Sequence, residues 1–551
     1  MRHVFCYDGS LGDLEIFAGE QMATNVVNLD ALIPREDFFI EGGGDRPGAS
    51  GQERIDIHHL DNHFFVTRLR KPDFQRETAD WTPDKVVDLI RSFVDAELIP
   101  AVILWSAGNF SFVIDGAHRL SALLAWVLDD YGDNRKSLDY FGGRVSDDQR
   151  RIADRTRKLV KAAVGSYGEY VGARNNPAAL PPPMQIRYNN LANQYVTAQW
   201  VPTVEREVAE KSFFKINEAA TPINPTEKKI LRSRKSPSAL AARAVTRAGT
   251  GHQYWSPFEP AKQERIKDLG KSIYQALYEP PIDEGPVRTL DLPVAGKGYN
   301  ALPFVFDLIN QVNKVTVPDS KRKSDPGLPE ETDGSETIHF LEKANKLVER
   351  ITGDQSSSFG LHPVVYFYTR TAAFQPSAFF ATSRFIEGII NVGRVKEFLA
   401  ARAKFEVFLL QHKEHISLTV HKFGAGERSV PQLVLYLSTV LLAIQIGKND
   451  AEILAQFSED SNFQYLLPAK PPLLRGTNEE PTEKKGGFNK GTKSAAFINN
   501  AVAGAPKCGL CGAMVHRNSM HIDHRHRIRD GGGNQFENAQ ITHPICDSLK
   551  S

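Results

Sequence analysis

Cysteine is scarce in this chain. There are four in 551 residues, and three of them fall between positions 508 and 546. One lone Cys6 and one cluster exclude a disulfide framework and fit a reducing cytosol. Charge of one sign is also missing: 67 basic side chains face 66 acidic ones, for a net charge of +1. The chain is therefore no polycation, and any affinity for nucleic acid must come from local patches. The start, Met1 to Asp8, lacks the apolar stretch of a signal peptide. The longest apolar run, around Val430 to Ile446, is broken by Gln432, Ser438, Thr439 and Gln445. It is too short and too polar to span a bilayer comfortably and reads as a buried core helix. A Walker-type loop is absent. The glycine-rich stretch Glu41 to Gly51 has no Lys-Ser/Thr after it and no strand–helix frame, so it reads as a mobile loop rather than a phosphate cradle. No internal repeat is present.

What remains is a globular composition, 41% hydrophobic and 24% charged. The length suggests roughly two to four domains, and the pattern predicts a multidomain α+β chain. From about 56 to 235, strands alternate with helices. Thr82 can cap a helix that Pro83 opens, with Val86, Val87, Leu89, Ile90, Phe93 and Val94 at helical spacing. Pro100 to Trp105 and Phe110 to Ile114 read as strands around a Gly108-Asn109 turn. A helix follows from His118 to Leu128, so Asp115-Gly116-Ala117-His118-Arg119 falls at a strand-to-helix junction, where free backbone N–H groups favour an anion. From 236 to 468 helical patterns dominate, with helices expected over 335–352, 378–403, 404–420 and 429–446. Residues 469–506 are charged and weakly periodic and read as a flexible linker to a last module, 507–551.

That last module holds the densest chemistry. Cys508, Cys511, His543 and Cys546 form two pairs with the spacing of a closed tetrahedral zinc site. Between the pairs stand Asp523 and His524, a carboxylate beside an imidazole, which metal-assisted phosphodiester hydrolysis requires as cation ligand and base. A zinc ribbon that only braces a fold accounts for the four ligands but leaves Asp523 and His524 unexplained. Arg525, Arg527 and Arg529 supply local positive charge suited to phosphate.

With Gly531 to Gly533 and Asn538 downstream, residues 507–551 resemble the HNH endonuclease family and its ββα-metal fold. The resemblance implies that His524 is the general base and Asp523 a ligand of a catalytic Mg²⁺ or Mn²⁺. It makes Asn538 the residue that fixes the loop orienting the base, and it gives zinc a structural role. Asp547 occupies the final motif position, where Asn or His is usual; a carboxylate there can still coordinate a hard cation. His521 and His526 lie nearby and read as solvated or phosphate-facing rather than as ligands.

A second resemblance covers roughly 60–235. Asp73-Phe-Gln75-Arg76, then Asp115-Gly-Ala-His118-Arg119, and later Phe213 to Asn217 resemble the ParB/sulfiredoxin-like domain of GmrSD-type restriction proteins. The resemblance implies an α/β domain that binds a nucleotide, such as a nucleoside triphosphate, through Gln75, Arg76, Asp115, Gly116, His118, Arg119 and Asn217. Arg76 and Arg119 suit phosphate oxygens. Ala117 stands where the family has Gln. Together the two resemblances imply a cytoplasmic DNA endonuclease of anti-phage defence, with phage DNA as its partner. In it an N-terminal sensor of DNA modification or nucleotide would govern a nuclease swinging on a linker. The alternative is a ParB-like nucleic-acid-binding or nucleotide-hydrolysing regulator whose zinc module is only structural.

Overall fold

The computed structural model describes residues 26–36, 53–72, 81–143, 147–202, 225–282, 285–296, 301–318, 327–467 and 487–550, with a few single positions between them. The glycine-rich stretch 41–51, Arg76 and Asn217 lie outside the described residues.

The N-terminal part is built on a mixed sheet of six strands: β1 (Arg35–Glu36), β2 (Arg54–Asp56), β3 (Leu69–Pro72), β4 (Val102–Ala107), β5 (Phe110–Asp115) and β6 (Tyr195–Trp200). Their order is β1-β3-β5-β4-β6-β2. β1, β3 and β5 run parallel, β4 turns back antiparallel to β5, and β6 runs parallel to β4. Helix α1 (Pro83–Val94) is capped as its sequence predicts, the Thr82 hydroxyl accepting from the Lys85 N–H. Its apolar face buries Val86, Val87, Ile90, Phe93 and Val94. Helix α2 (Ala117–Leu128) buries nearly all its residues from Leu120 to Trp126, so it forms the centre of this core. The strand expected from Pro100 begins instead at Val102 and runs on to Ala107, because Gly108, at φ +55°, makes the turn.

A buried charge cluster joins this sheet to the helical region. Asp30 accepts from Arg35 Nη2 at 2.9 Å and Lys71 Nζ at 2.6 Å, and Arg247 from the helical region lies 3.6 Å away. Burial pushes the Asp30 carboxyl up, but Arg35, Lys71 and Arg247 together hold it well below its ordinary value. Burial pulls the Lys71 ammonium down to about 8. Beside the cluster a cavity of about 450 Å³ opens between the two regions, lined in part by Asp30, Arg247, Gln149, Phe141 and Tyr274.

The helical region contains α3 (Pro237–Thr246), α4 (Pro260–Tyr278), α5 (Ala301–Val312), α6 (Ser335–Ile351), α7 (Pro376–Asn391), α8 (Val395–Gln411), α9 (Glu414–Phe423) and α10 (Val430–Gln445). Two of the expected helices, 378–403 and 404–420, are divided differently. The chain breaks at Gly393, whose φ of +70° ends α7, and again around His412. Phe304 stands at the core of the bundle, its ring centroid 5.3 Å from those of Phe374, Phe379 and Phe380. The Val430–Gln445 helix is buried along one face, and no helix among the described residues is long and apolar enough to cross a membrane.

Residues 469–506 do not read as linker throughout. Lys490–Ala501 forms α11, capped by Asn489, with Ile498 buried and the Ser494 hydroxyl accepting from the Val287 N–H at 3.0 Å. The last segment follows: β7 (His521–His524) pairs antiparallel with β8 (Ala539–Thr542), and the short α12 (Pro544–Ser548) closes it. It does not stand apart, because Cys508, Met514, Val515, Ile545 and Cys546 belong to the same apolar core as the helices. The loop after α6 cradles it: Ile545 N–H donates to Ser358 O at 3.0 Å, Gly353 N–H to Ser519 Oγ at 2.8 Å, and Ser548 Oγ–H to Ser356 O at 3.0 Å.

At the centre of this junction is a buried ion pair on α8. Arg402 Nε donates to Glu406 Oε1 at 2.7 Å, and its other nitrogens reach the carbonyls of Phe359 and Gly360 at 2.6 and 3.0 Å. Glu406 also accepts from Tyr366 Oη–H at 3.0 Å and from the Met514 N–H at 3.1 Å. Removing one partner strands the other charge without solvent. Glu406→Ala is therefore expected to cost about 3–5 kcal/mol in urea unfolding and to expose the last segment to protease. A loss below about 1 kcal/mol would contradict the burial of this pair.

Candidate functional site

Two places gather the residues singled out in the sequence. The first lies at the carboxyl ends of β3 and β5, the usual ligand edge of a sheet with parallel strands. Asp115 ends β5, and Gly116 turns the chain into α2 at φ +93°. A Cβ at Gly116 would stand 2.5 Å from Val102 Cγ1, so both the conformation and the space demand glycine. One helical turn on, Arg119 Nη2 donates to Asp115 Oδ2 at 2.7 Å and to the Ala101 carbonyl at 3.1 Å. Gln75 reaches in from beyond β3, its Nε2 donating to Ile114 O at 3.4 Å, and its backbone carbonyl accepts from Arg35. His118 stacks on Trp81, ring centroids 5.5 Å apart and planes 21° apart. The fold thus brings Gln75, Asp115, Gly116, His118 and Arg119 to one edge. Trp81 was not singled out from sequence; nothing in its local pattern distinguishes it from a core residue before α1.

The second place is the C-terminal segment. Cys508 to Gly512 form a tight turn, with Cys508 N–H donating to Ala513 O at 2.9 Å and Gly512 N–H to Cys508 O at 2.9 Å. His543 and Cys546, at the start of α12, complete the set, and the four donor atoms lie within 4.8 Å of one another. His543 Nδ1 is 3.4 Å from Cys511 Sγ and 3.8 Å from Cys546 Sγ, while its Nε2–H donates to Met514 O at 2.9 Å. That outer hydrogen bond fixes the tautomer and leaves Nδ1 as a metal ligand. Without a cation the thiols oppose one another. Contacts with Cys511 and Cys546 pull Cys508 down, whereas contact with Cys508 pushes Cys511 up to about 11 and Cys546 up as well. The donor set fits a tetrahedral zinc, which would hold all three sulfurs as thiolates.

On the paired strands, Asp523 and His524 point to opposite faces, as alternation requires. His524 Nε2 lies 2.9 Å from Asn534 Oδ1, so the amide oxygen accepts from Nε2–H and Nδ1 is left with a free lone pair. Asn538 fixes the intervening loop: its Oδ1 accepts from His526 N–H at 2.7 Å, and its Nδ2 donates to the carbonyls of His526 and Gly533 at 2.9 and 2.7 Å. Asp523 Oδ2 receives Lys550 Nζ at 2.5 Å and Gln540 Nε2 at 2.9 Å, and Lys550 also donates to His524 O. Partial burial pushes the Asp523 carboxyl up, but those donors hold it below its ordinary value. His521, on the Asp523 face, bridges Asp547 Oδ2 at 3.2 Å and the Asp354 carbonyl at 3.0 Å. His521 is thus fixed by two partners and not simply solvated. The carboxylates of Asp523 and Asp547 suit a hard cation in chemistry, but Lys550 stands on Asp523 as an internal cation, His521 meets Asp547, and no group of three His, Cys, Asp or Glu donors forms here among the described residues. Arg525 and Arg529 are exposed at the loop. Asn534, Gln540 and Lys550 escaped the sequence reading because each acts through a partner 10 to 27 positions away.

Residues 60–234 match the family described as GmrSD restriction endonuclease, N-terminal domain. The matched segment carries β3 to β6 and the Asp115–Arg119 edge. Comparison with curated proteins and with solved structures gives no match.

The Gly116 turn yields a direct test. Gly116→Ala is expected to lower stability by about 1–3 kcal/mol in denaturant unfolding, since it places a Cβ at positive φ against Val102. Unchanged stability would mean that Val102 yields freely and that the junction is not tightly built.

Proposed function

We propose that this protein is a restriction-type DNA endonuclease of anti-phage defence. In this reading the C-terminal segment is an HNH module that hydrolyses phosphodiester bonds, and the N-terminal domain senses DNA modification or a nucleotide. The observation that carries the reading is the His524–Asn534 pair, an imidazole with one nitrogen fixed and the other free, on a strand beside Asp523. The strand–strand–helix order and the likeness of residues 60–234 to a restriction endonuclease domain support it.

His524 Nδ1 takes a proton from the attacking water, and Asn534 keeps the ring in the orientation that allows it. Asn538 holds the loop between them, and Arg525, Arg527 and Arg529 bind phosphates along the strand being cut. A divalent cation bound by Asp523 and Asp547 would supply charge stabilisation at the leaving oxygen. Cys508, Cys511, His543 and Cys546 would hold zinc in a structural role, since all four positions would be protein ligands. At the N-terminal edge, Arg119 and Asp115 would hold phosphate and ribose or cation; Arg76 and Asn217, which the family resemblance adds to the set, lie outside the described residues.

Incubation of the purified chain with plasmid and with phage DNA carrying different base modifications tests the nuclease. Cleavage is expected with Mg²⁺ or Mn²⁺, and His524→Ala is expected to lower its rate by about 10²–10⁴-fold. Cleavage by His524→Ala near the native rate would remove His524 from the mechanism. Elemental analysis is expected to find about one zinc at the four-ligand site, lost in Cys508→Ser or Cys546→Ser. Because these cysteines lie in the helical core, thermal melting of that region should fall with the metal. A folded, reduced protein with no zinc there would refute the structural site.

A further inference from the structure

A second group of metal-type donors lies far along the chain from the C-terminal motif, where α8 gives way to α9. His412 caps the end of α8, Glu414 opens α9 and His415 follows, giving the sequence His-Lys-Glu-His. Their donor atoms all lie within 4.8 Å of one another. The two imidazoles stack, centroids 5.1 Å apart and planes 16° apart. Each of the three side chains is held by a neighbour. Tyr436 Oη lies 3.2 Å from His415 Nδ1, and with the proton on Nδ1 the lone pair of Nε2 is the one available to a ligand. Phe408 packs 4.5 Å from the His412 ring, and Arg370 Nη2 bonds one carboxylate oxygen of Glu414 at 2.9 Å, leaving the other. Lys413, between them in sequence, donates to the carbonyls of Val365 and Tyr368 at 3.3 and 2.6 Å. His415 is buried, His412 half-buried and Glu414 exposed, so the group opens to solvent on one side.

We propose that His412, Glu414 and His415 form a second metal site, for a divalent transition-metal ion of the zinc type. Two imidazoles and one carboxylate favour zinc, nickel or copper over magnesium and calcium, which prefer all-oxygen shells. Zinc holds such donors at about 2.0–2.2 Å. Closing a zinc shell from that spacing requires the half-buried His412 and the exposed Glu414 to turn inward toward the buried His415. The Tyr436 hydroxyl on His415 is the outer-shell partner that orients a ligating imidazole. Three protein ligands with an open side leave a fourth position for water. The site would tie α8, which carries Arg402 and Glu406, to the next helix.

The test uses the full chain as purified, with zinc added and free metal removed by dialysis. The native chain is expected to retain one more equivalent than His412→Ala, and Glu414→Gln is expected to bind that equivalent about tenfold more weakly. This difference does not depend on whether the cysteine site is filled. Cobalt(II) added to native protein whose cysteine site has first been filled with one equivalent of zinc identifies the donors of the second site. Nitrogen and oxygen ligands give visible d–d bands without the intense near-ultraviolet band of a thiolate. Equal metal content in the native chain and His412→Ala, or cobalt bands with thiolate character, would overturn the proposal. Circular dichroism of His412→Ala and of the milder His412→Gln separates loss of the site from loss of the fold; both variants should match the native spectrum.

Discussion

The Arg402–Glu406 pair is the interaction on which the C-terminal half depends. A guanidinium and a carboxylate without solvent are tolerable only when every donor and acceptor is answered. Here Arg402 is answered by Glu406 and two carbonyls, and Glu406 by Arg402, Tyr366 and the backbone of Met514. The last of these bonds crosses from the helical bundle into the cysteine-bearing segment. Met514 O in turn accepts from His543, a member of the cysteine set. One buried pair therefore links the helical core, the turn after Cys511 and the candidate zinc ligand in a continuous chain of hydrogen bonds.

This linkage changes what the C-terminal segment can be. A small module with few apolar residues would need metal to fold and could swing on a tether. Instead its cysteines, Met514 and Ile545 are packed into the helical core, and Ser358, Ser356 and Gly353 bond its backbone and hydroxyls. The helix Lys490–Ala501 inside the expected linker follows the same logic, since Asn489 caps it and Val287 anchors it. Any control of a nuclease there would act through a shared core rather than through free diffusion of a tethered domain.

The N-terminal sheet is joined to the same body by another buried charge, Asp30, which meets Arg35, Lys71 and Arg247. That cluster is close to the ligand edge: Arg35 donates to the carbonyl of Gln75, and Gln75 reaches the end of β5. Gln75 therefore stands one hydrogen bond from the buried charge cluster at the interface with the helices and one from the end of β5.

Patterns whose cause is local could be read directly from the residues. Thr82 and Pro83 marked the start of a helix because a cap and a fixed φ act within one turn. Asp115 and Arg119 fall at the strand-to-helix junction that the residues announce, but their ion pair depends on the left-handed turn at Gly116, which brings the end of β5 back over the first turn of α2. The spacing of the two Cys/His pairs of the C-terminus points to one cluster, and their four donor atoms do gather within 4.8 Å of one another. The break of one long helical pattern at Gly393 was missed because apolar periodicity continues across it while the glycine reverses the backbone. Asn534 on His524, Lys550 on Asp523, Trp81 on His118 and Glu406 on Met514 were decided only by the tertiary structure. Each joins groups from separate segments, and no spacing rule within one element encodes which distant partner burial will press against it.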